Sequence, residues 1–146
     1  MWSKSFASIF LVFILKNSAT AQSQLSAEEA FRVASDNQKY VLLVFAGSDW
    51  CAPCIRFEND VLSQPEFDTF ASGHLVVFVA DFPQRKTLSK AVQSQNEKLA
   101  ERYNPKGVFP NIMLVKSDGT VVSNITYSDQ SANQFVNEIK QSLSDE

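Results

Sequence analysis

Trp50-Cys51-Ala52-Pro53-Cys54 is the stretch on which the reading of this chain turns. It holds the only two cysteines, three positions apart. Upstream lies the apolar run Tyr40-Val-Leu-Leu-Val-Phe-Ala46, the pattern of a central strand covered on both faces. Downstream, Ile55-Arg-Phe-Glu-Asn-Asp-Val-Leu62 reads as a helix. The thiols therefore stand where a buried strand ends and a helix begins. The free N–H groups and positive dipole end of a helix stabilise an anion. A cysteine in such a motif ionises with a pKa anywhere from about 3.5 to 7.5. The second sulfur, one helical turn on, can attack a mixed disulfide formed at the first. Thiol–disulfide exchange is the chemistry this spacing favours, with Cys51 as nucleophile and the more exposed sulfur, and Cys54 as the deeper, resolving thiol.

Two other uses of the pair compete. A static bridge is one, but closing so short a loop constrains the unfolded chain little. Metal binding is the other, but a closed zinc site needs four ligands. The single histidine, His74, lies far along the chain and reads as a loop residue before a strand. We expect no metal and no cofactor.

The chain has 146 residues, enough for one domain with a real core. Its 45% apolar and 20% charged residues are those of an ordinary globular protein. The net charge of −3, with no basic block, gives no reason to expect a nucleic-acid partner. Residues 1–21 read as a signal peptide. Lys4 is the basic residue, Phe6-Ala-Ser-Ile-Phe-Leu-Val-Phe-Ile-Leu15 the apolar run, and Ala19-Thr-Ala21 the small-residue cleavage site. The run is too short to span a bilayer, which takes roughly 20 apolar residues. After cleavage no stable membrane anchor is expected. Removing 1–21 takes Lys4 and Lys16 from the 13 basic residues and none from the 16 acidic ones, so residues 22–146 carry −5. Export to the periplasm or beyond is the expected location, where disulfides persist.

The remaining chain reads as follows. Ser26-Ala-Glu-Glu29 has the form of a capping box and opens a helix over 26–37. Strand 40–46 and a helix over 52–62 flank the cysteines. Pro65 opens a short helix to Phe70. Leu75-Val-Val-Phe-Val-Ala80 is a second buried strand. Leu88, Val92, Leu99 and Tyr103 mark one helical face, ended by Asn104-Pro-Lys-Gly107. Strands 111–115 and 121–127 flank a turn at Asp118-Gly119, a hairpin signal. Phe135, Val136, Ile139 and Leu143 stripe a final helix. Early strands joined by helices are expected parallel and the closing hairpin antiparallel. The fold class is therefore α/β: a three-layer α/β/α sandwich around a mixed sheet of about four strands.

The motif and the order of elements resemble the thioredoxin family, from roughly Ala30 to Leu143. The run Gly47-Ser-Asp-Trp-Cys-Ala-Pro-Cys54 with Pro65-Glu-Phe67 is similar to exported bacterial thioredoxin-like proteins. The resemblance implies a thiol–disulfide oxidoreductase acting on protein thiols and disulfides, with a separate redox partner to recycle it. It implies a cis proline at Pro110, facing the cysteines, and a backbone at Phe109 that pairs with an extended substrate. Trp50 and Pro53 would touch the substrate as well. Many thioredoxins carry a buried aspartate five positions before the motif's tryptophan. Here that position is Phe45, which leaves the second cysteine without that proton acceptor. Asp49 and Glu58 are the carboxylates nearest in sequence. A binding module that keeps the fold and a static disulfide is the alternative function, and a metal-delivery protein a weaker one.

Overall fold

In the computed structural model, which describes residues 25–145, four strands form one sheet in the order β2-β1-β3-β4. The leader read at 1–21 lies outside the described residues. Helix α1 spans Ala27–Asp36, with the Ser26 hydroxyl accepting the Glu29 N–H at its start. Strand β1 is Tyr40–Ala46 and β2 is Leu75–Asp81, parallel to it. Between them lie α2 (Ala52–Phe57), one wide turn over Glu58–Leu62, and α3 (Pro65–His74). Helix α4 (Lys90–Tyr103) leads to β3 (Asn111–Val115), β4 (Val121–Ile125) and α5 (Ala132–Ser144).

Strict alternation along β1 splits the core. Leu42, Val44 and Ala46 face Phe57, Phe67, Phe135 and Ile139, on α2, α3 and α5. Val41, Leu43 and Phe45 face Ala30 and Ala34 of α1, with Leu99 and Tyr103 of α4 at the margin. Among the described residues these two clusters make the three expected layers. A central strand buried on both faces needs apolar residues at every position, which is why 40–46 carries no polar interruption.

Four readings of the sequence need correction. Helix α3 runs to His74 rather than Phe70, because Ala71 is buried too and extends its packed face. The helix after the cysteines does not stay regular to Leu62: it widens at Glu58, where the Ser63 N–H bonds the Glu58 carbonyl five residues back. Strand β4 stops at Ile125 because Tyr127 turns its ring onto Phe57, 5.1 Å away, and its hydroxyl to Asp60. A helix joins β2 to β3, yet β3 runs antiparallel to β1, unlike β2. Segments of irregular chain on either side of α4 let β3 enter at the end of the sheet where β2 leaves. Phe45 accordingly stands opposite both Ala80 and Asn111.

Candidate active site

The end of β1, the end of β2 and the start of β3 meet at one edge of the sheet. The carboxyl ends of parallel strands are the usual place for a site in an open α/β sheet. The loop leaving β1 turns tightly, with the Gly47 carbonyl accepting the N–H of Trp50 (3.3 Å) and of Cys51 (2.9 Å). A side chain at Gly47 would run into the indole of Trp50, which lies across it. That indole is 39% exposed and donates from Nε1 to the Phe82 carbonyl at 2.7 Å.

Cys51 and Cys54 form a disulfide, with Cα atoms 5.2 Å apart. Cys51 is the cap of α2, and its Sγ accepts the N–H of Cys54 at 3.3 Å. Pro53 sits in the first turn, where it forfeits no helical hydrogen bond. It is exposed beside Ala52. As whole residues the two cysteines are equally buried, each 4% exposed. Bonded to one another, they share one apolar setting with Ala46 and Phe57, and Phe109 packs against that cluster.

The Phe109–Pro110 bond is cis. Phe109 is wedged between Trp50 and Phe82, with ring centroids 5.4 and 5.6 Å away. Neither its N–H nor its carbonyl is hydrogen-bonded to another described residue. The segment before it is held by Asn104, a buried side chain that sequence reading took only as a helix breaker. Its amide donates to the Val108 carbonyl (2.9 Å) and accepts the Val108 N–H (3.0 Å). Val108 itself points outward, 53% exposed. Trp50 and Ile55, 40% exposed, are likewise apolar residues open to solvent. Val108 and Ile55 were not singled out from the sequence, where an isolated aliphatic residue carries no signal of exposure.

The carboxylates near the motif are otherwise engaged. Asp49 accepts the backbone N–H groups of Gln84, Arg85 and Lys86. The Gln84 N–H first, then those of Arg85 and Lys86, hold its carboxyl below the usual carboxylate range. Glu58 is exposed and takes a 3.4 Å hydrogen bond from the Ser63 hydroxyl. Phe45 is fully buried in the α1–α4 layer, its ring stacked 6.5 Å from Phe82. The disulfide packs in the opposite layer. His74 ends α3 rather than lying in a loop, and stacks on Phe70. Among the described residues no group of three or more His, Cys, Asp or Glu is placed to hold a metal ion, and no helix is long and apolar enough to cross a membrane.

A family profile described as a thioredoxin-like domain matches residues 27–143. The chain belongs to the thioredoxin-like family. It is 29% identical over 118 residues to the disulfide bond reductase DsbH of Chlamydia pneumoniae, covering 81% of this chain and 70% of that protein. A solved structure of a DsbH oxidoreductase superposes with a TM-score of 0.77 at 28% identity, covering 82% of this chain and 83% of that one. A disulphide isomerase from Xylella fastidiosa shares the fold, with a TM-score of 0.59 at 22% identity over 85% of this thioredoxin-like chain and 94% of that one.

Proposed function

We propose that this thioredoxin-like protein is an exported thiol–disulfide oxidoreductase that exchanges disulfides with protein substrates through Cys51 and Cys54. The observation that carries the reading is the Cys51 sulfur at the start of α2, in hydrogen-bond contact with the N–H of Cys54. The DsbH relative, itself a disulfide bond reductase, supports it.

In the reduced protein the Cys51 thiolate attacks one sulfur of a substrate disulfide. A mixed disulfide forms and the other substrate sulfur leaves as a thiolate, which takes a proton. Cys54, having lost its own proton, attacks the Cys51 sulfur. The second substrate thiol is released and protonated, and the Cys51–Cys54 bridge closes. The substrate has gained two electrons and two protons, and the protein is left oxidised, as in this structure. A dithiol reductant must reduce it for the next turn, by the same exchange. Run backwards, the same steps oxidise a substrate. Trp50, Pro53, Phe109 and Pro110 form the surface that receives the substrate, with the free N–H and carbonyl of Phe109 available to an extended peptide. Export rests on residues 1–21, as read from the sequence.

Incubating the protein with dithiothreitol and insulin tests this directly. Catalysed precipitation of the insulin chains is the expected result. No turnover would favour a binding module with a static disulfide. Equilibration of the couple with glutathione would give the reduction potential and hence the preferred direction.

A further inference from the structure

Three successive residues of the loop that leaves β1 are tied to the chain that leaves β2. Ser48 donates from its N–H (2.8 Å) and its hydroxyl (2.6 Å) to the Asp81 carboxylate. The Asp49 carboxylate accepts the N–H groups of Gln84 (2.8 Å), Arg85 (2.7 Å) and Lys86 (3.0 Å). Trp50 donates to the Phe82 carbonyl. Converging backbone N–H groups form a concavity that takes an anion, and here the anion belongs to the chain itself, two residues before Cys51.

We propose that Asp49 is a positioning residue: it folds segment 82–86 into the seat that holds the Trp50 indole and the Phe109 ring where a protein substrate meets the disulfide, and it takes no part in proton transfer. This rests on the oxidoreductase reading and names a residue that shapes its substrate-facing edge.

The Phe82 end of the seat is also held to β1, its N–H donating to the Ala46 carbonyl at 2.8 Å, so Asp49 is what fixes the stretch beyond it. Residues 82–89 belong to no helix or strand. Without the carboxylate, three neighbouring N–H groups lose their partner at once. Phe82 is the link to the site. Its carbonyl holds Trp50, and its ring packs on Phe45 below and Phe109 beside it. Phe109 in turn meets the edge of Trp50. Releasing residues 84–86 therefore loosens the support of both aromatic side chains beside the disulfide, while the Phe82 N–H keeps its bond to Ala46. A general base has to be able to take up a proton near the working pH. A carboxylate saturated by three donors is held in its charged form and is unsuited to that task.

Two substrates separate positioning from chemistry. Insulin must dock to be reduced, whereas the small aromatic disulfide 5,5′-dithiobis(2-nitrobenzoate) needs only a reactive thiol. Asp49→Asn keeps the size but presents an NH2 to the N–H donors, and Asp49→Ala removes the group. In both, KM for insulin is expected to rise about 10-fold with kcat little changed. The rate with the small disulfide, and its pH profile, should stay within about twofold of wild type. An unchanged KM for insulin, an equal loss on both substrates, or a shifted pH profile with the small disulfide would each overturn the proposal. Failure of the wild-type protein with both substrates would overturn the oxidoreductase reading instead. Hydrogen exchange on the wild-type protein needs no variant: the Gln84, Arg85 and Lys86 amides should be protected, and free exchange at all three would also sink the idea.

Discussion

The N–H of Cys54 points at the sulfur of Cys51 across 3.3 Å, so the cap of α2 is itself a sulfur atom. In the reduced protein that N–H favours a thiolate on Cys51, as a capping oxygen favours a helix start. Cys54 receives no comparable donor from its own first turn. The two cysteine residues are equally buried in the disulfide, and the order of attack rests on this electrostatic difference. Cys54→Ser should therefore trap partner proteins as mixed disulfides, and Cys51→Ser should trap few or none. Non-reducing gels of both variants decide it; equal trapping would remove the assignment of Cys51 as nucleophile.

Asn104 grips the N–H and the carbonyl of Val108 while itself only 4% exposed. Asn104→Ala removes both bonds and leaves Val108's backbone to water. A loss of about 1–2 kcal/mol is expected, read as a lower urea midpoint with an unchanged slope. Insulin reduction should fall too, because the grip ends one residue before Phe109. Asn104→Asp keeps the acceptor and loses the donor, and should fall between the two.

The legible parts of this fold are those where one residue type answers to one environment. Tyr40–Ala46 and Asn111–Val115 match their strands end to end, since short apolar runs rich in Val, Leu and Ile and bounded by turn residues suit a buried strand better than a helix. Cys51, Cys54 and Pro110 were legible because motif and order agree. What escaped depends on distant partners. Asp49 looks like any loop carboxylate until Gln84, thirty-five residues on, brings its N–H to it. The wide turn at 58–62 has no residue signature, and Gly73 near the end of α3 masked four more helical residues. The capping box at Ser131 and Gln134 is fully formed, but with glutamine rather than glutamate at the third helical position it carries a weaker sequence signal than Ser26-Ala-Glu-Glu29.

Gly47→Ala tests the seat of the indole. The new methyl group would occupy the space of the Trp50 ring. Either the indole swings out or the loop shifts, and the bond to the Phe82 carbonyl is lost in both cases. Overpacking of this kind costs about 1–3 kcal/mol. The other tryptophan, Trp2, lies in the leader read at 1–21, so in the chain from Gln22 onward Trp50 emission reports the change. Acrylamide should quench it more strongly than in the parent; equal quenching and equal urea midpoints would contradict the placement.

The Asp49 clamp also sets an acid limit. Its carboxyl is held below the usual range in the folded protein, first by the Gln84 N–H, with the Arg85 guanidinium adding to it. A depressed carboxyl contributes stability that is present above its unfolded pKa and is lost as pH falls through the folded one. Trp50 emission and the protection of the 84–86 amides should thus be constant from neutrality to about pH 5. Change is expected only below the ordinary aspartate range. Loss of protection at Gln84, Arg85 and Lys86 near pH 6 would show that a different group, not Asp49, holds the loop.

The last expectation concerns the step that frees the substrate. Cys54 must lose a proton before it attacks Cys51, and the position that carries an aspartate in many thioredoxins is Phe45, with no proton to exchange. Asp49 is saturated by backbone donors and Glu58 lies exposed on the turn after α2. Release of the mixed disulfide should then accelerate with rising pH as Cys54 ionises into solvent, and stopped-flow traces that are flat with pH would refute this. Phe45→Asp does not offer a simple repair. The side chain at 45 enters the α1–α4 layer among Ala30, Ala34 and Phe78, whereas the cysteines pack in the layer of α2, α3 and α5. It would exchange a fully buried ring for an unpaired carboxylate, a change on the order of 3–5 kcal/mol from the lost ring alone, with the buried charge in addition. The variant should unfold at much lower urea than the wild type. A Phe45→Asp protein that kept its stability and released substrate faster at neutral pH would show that this position still reaches Cys54.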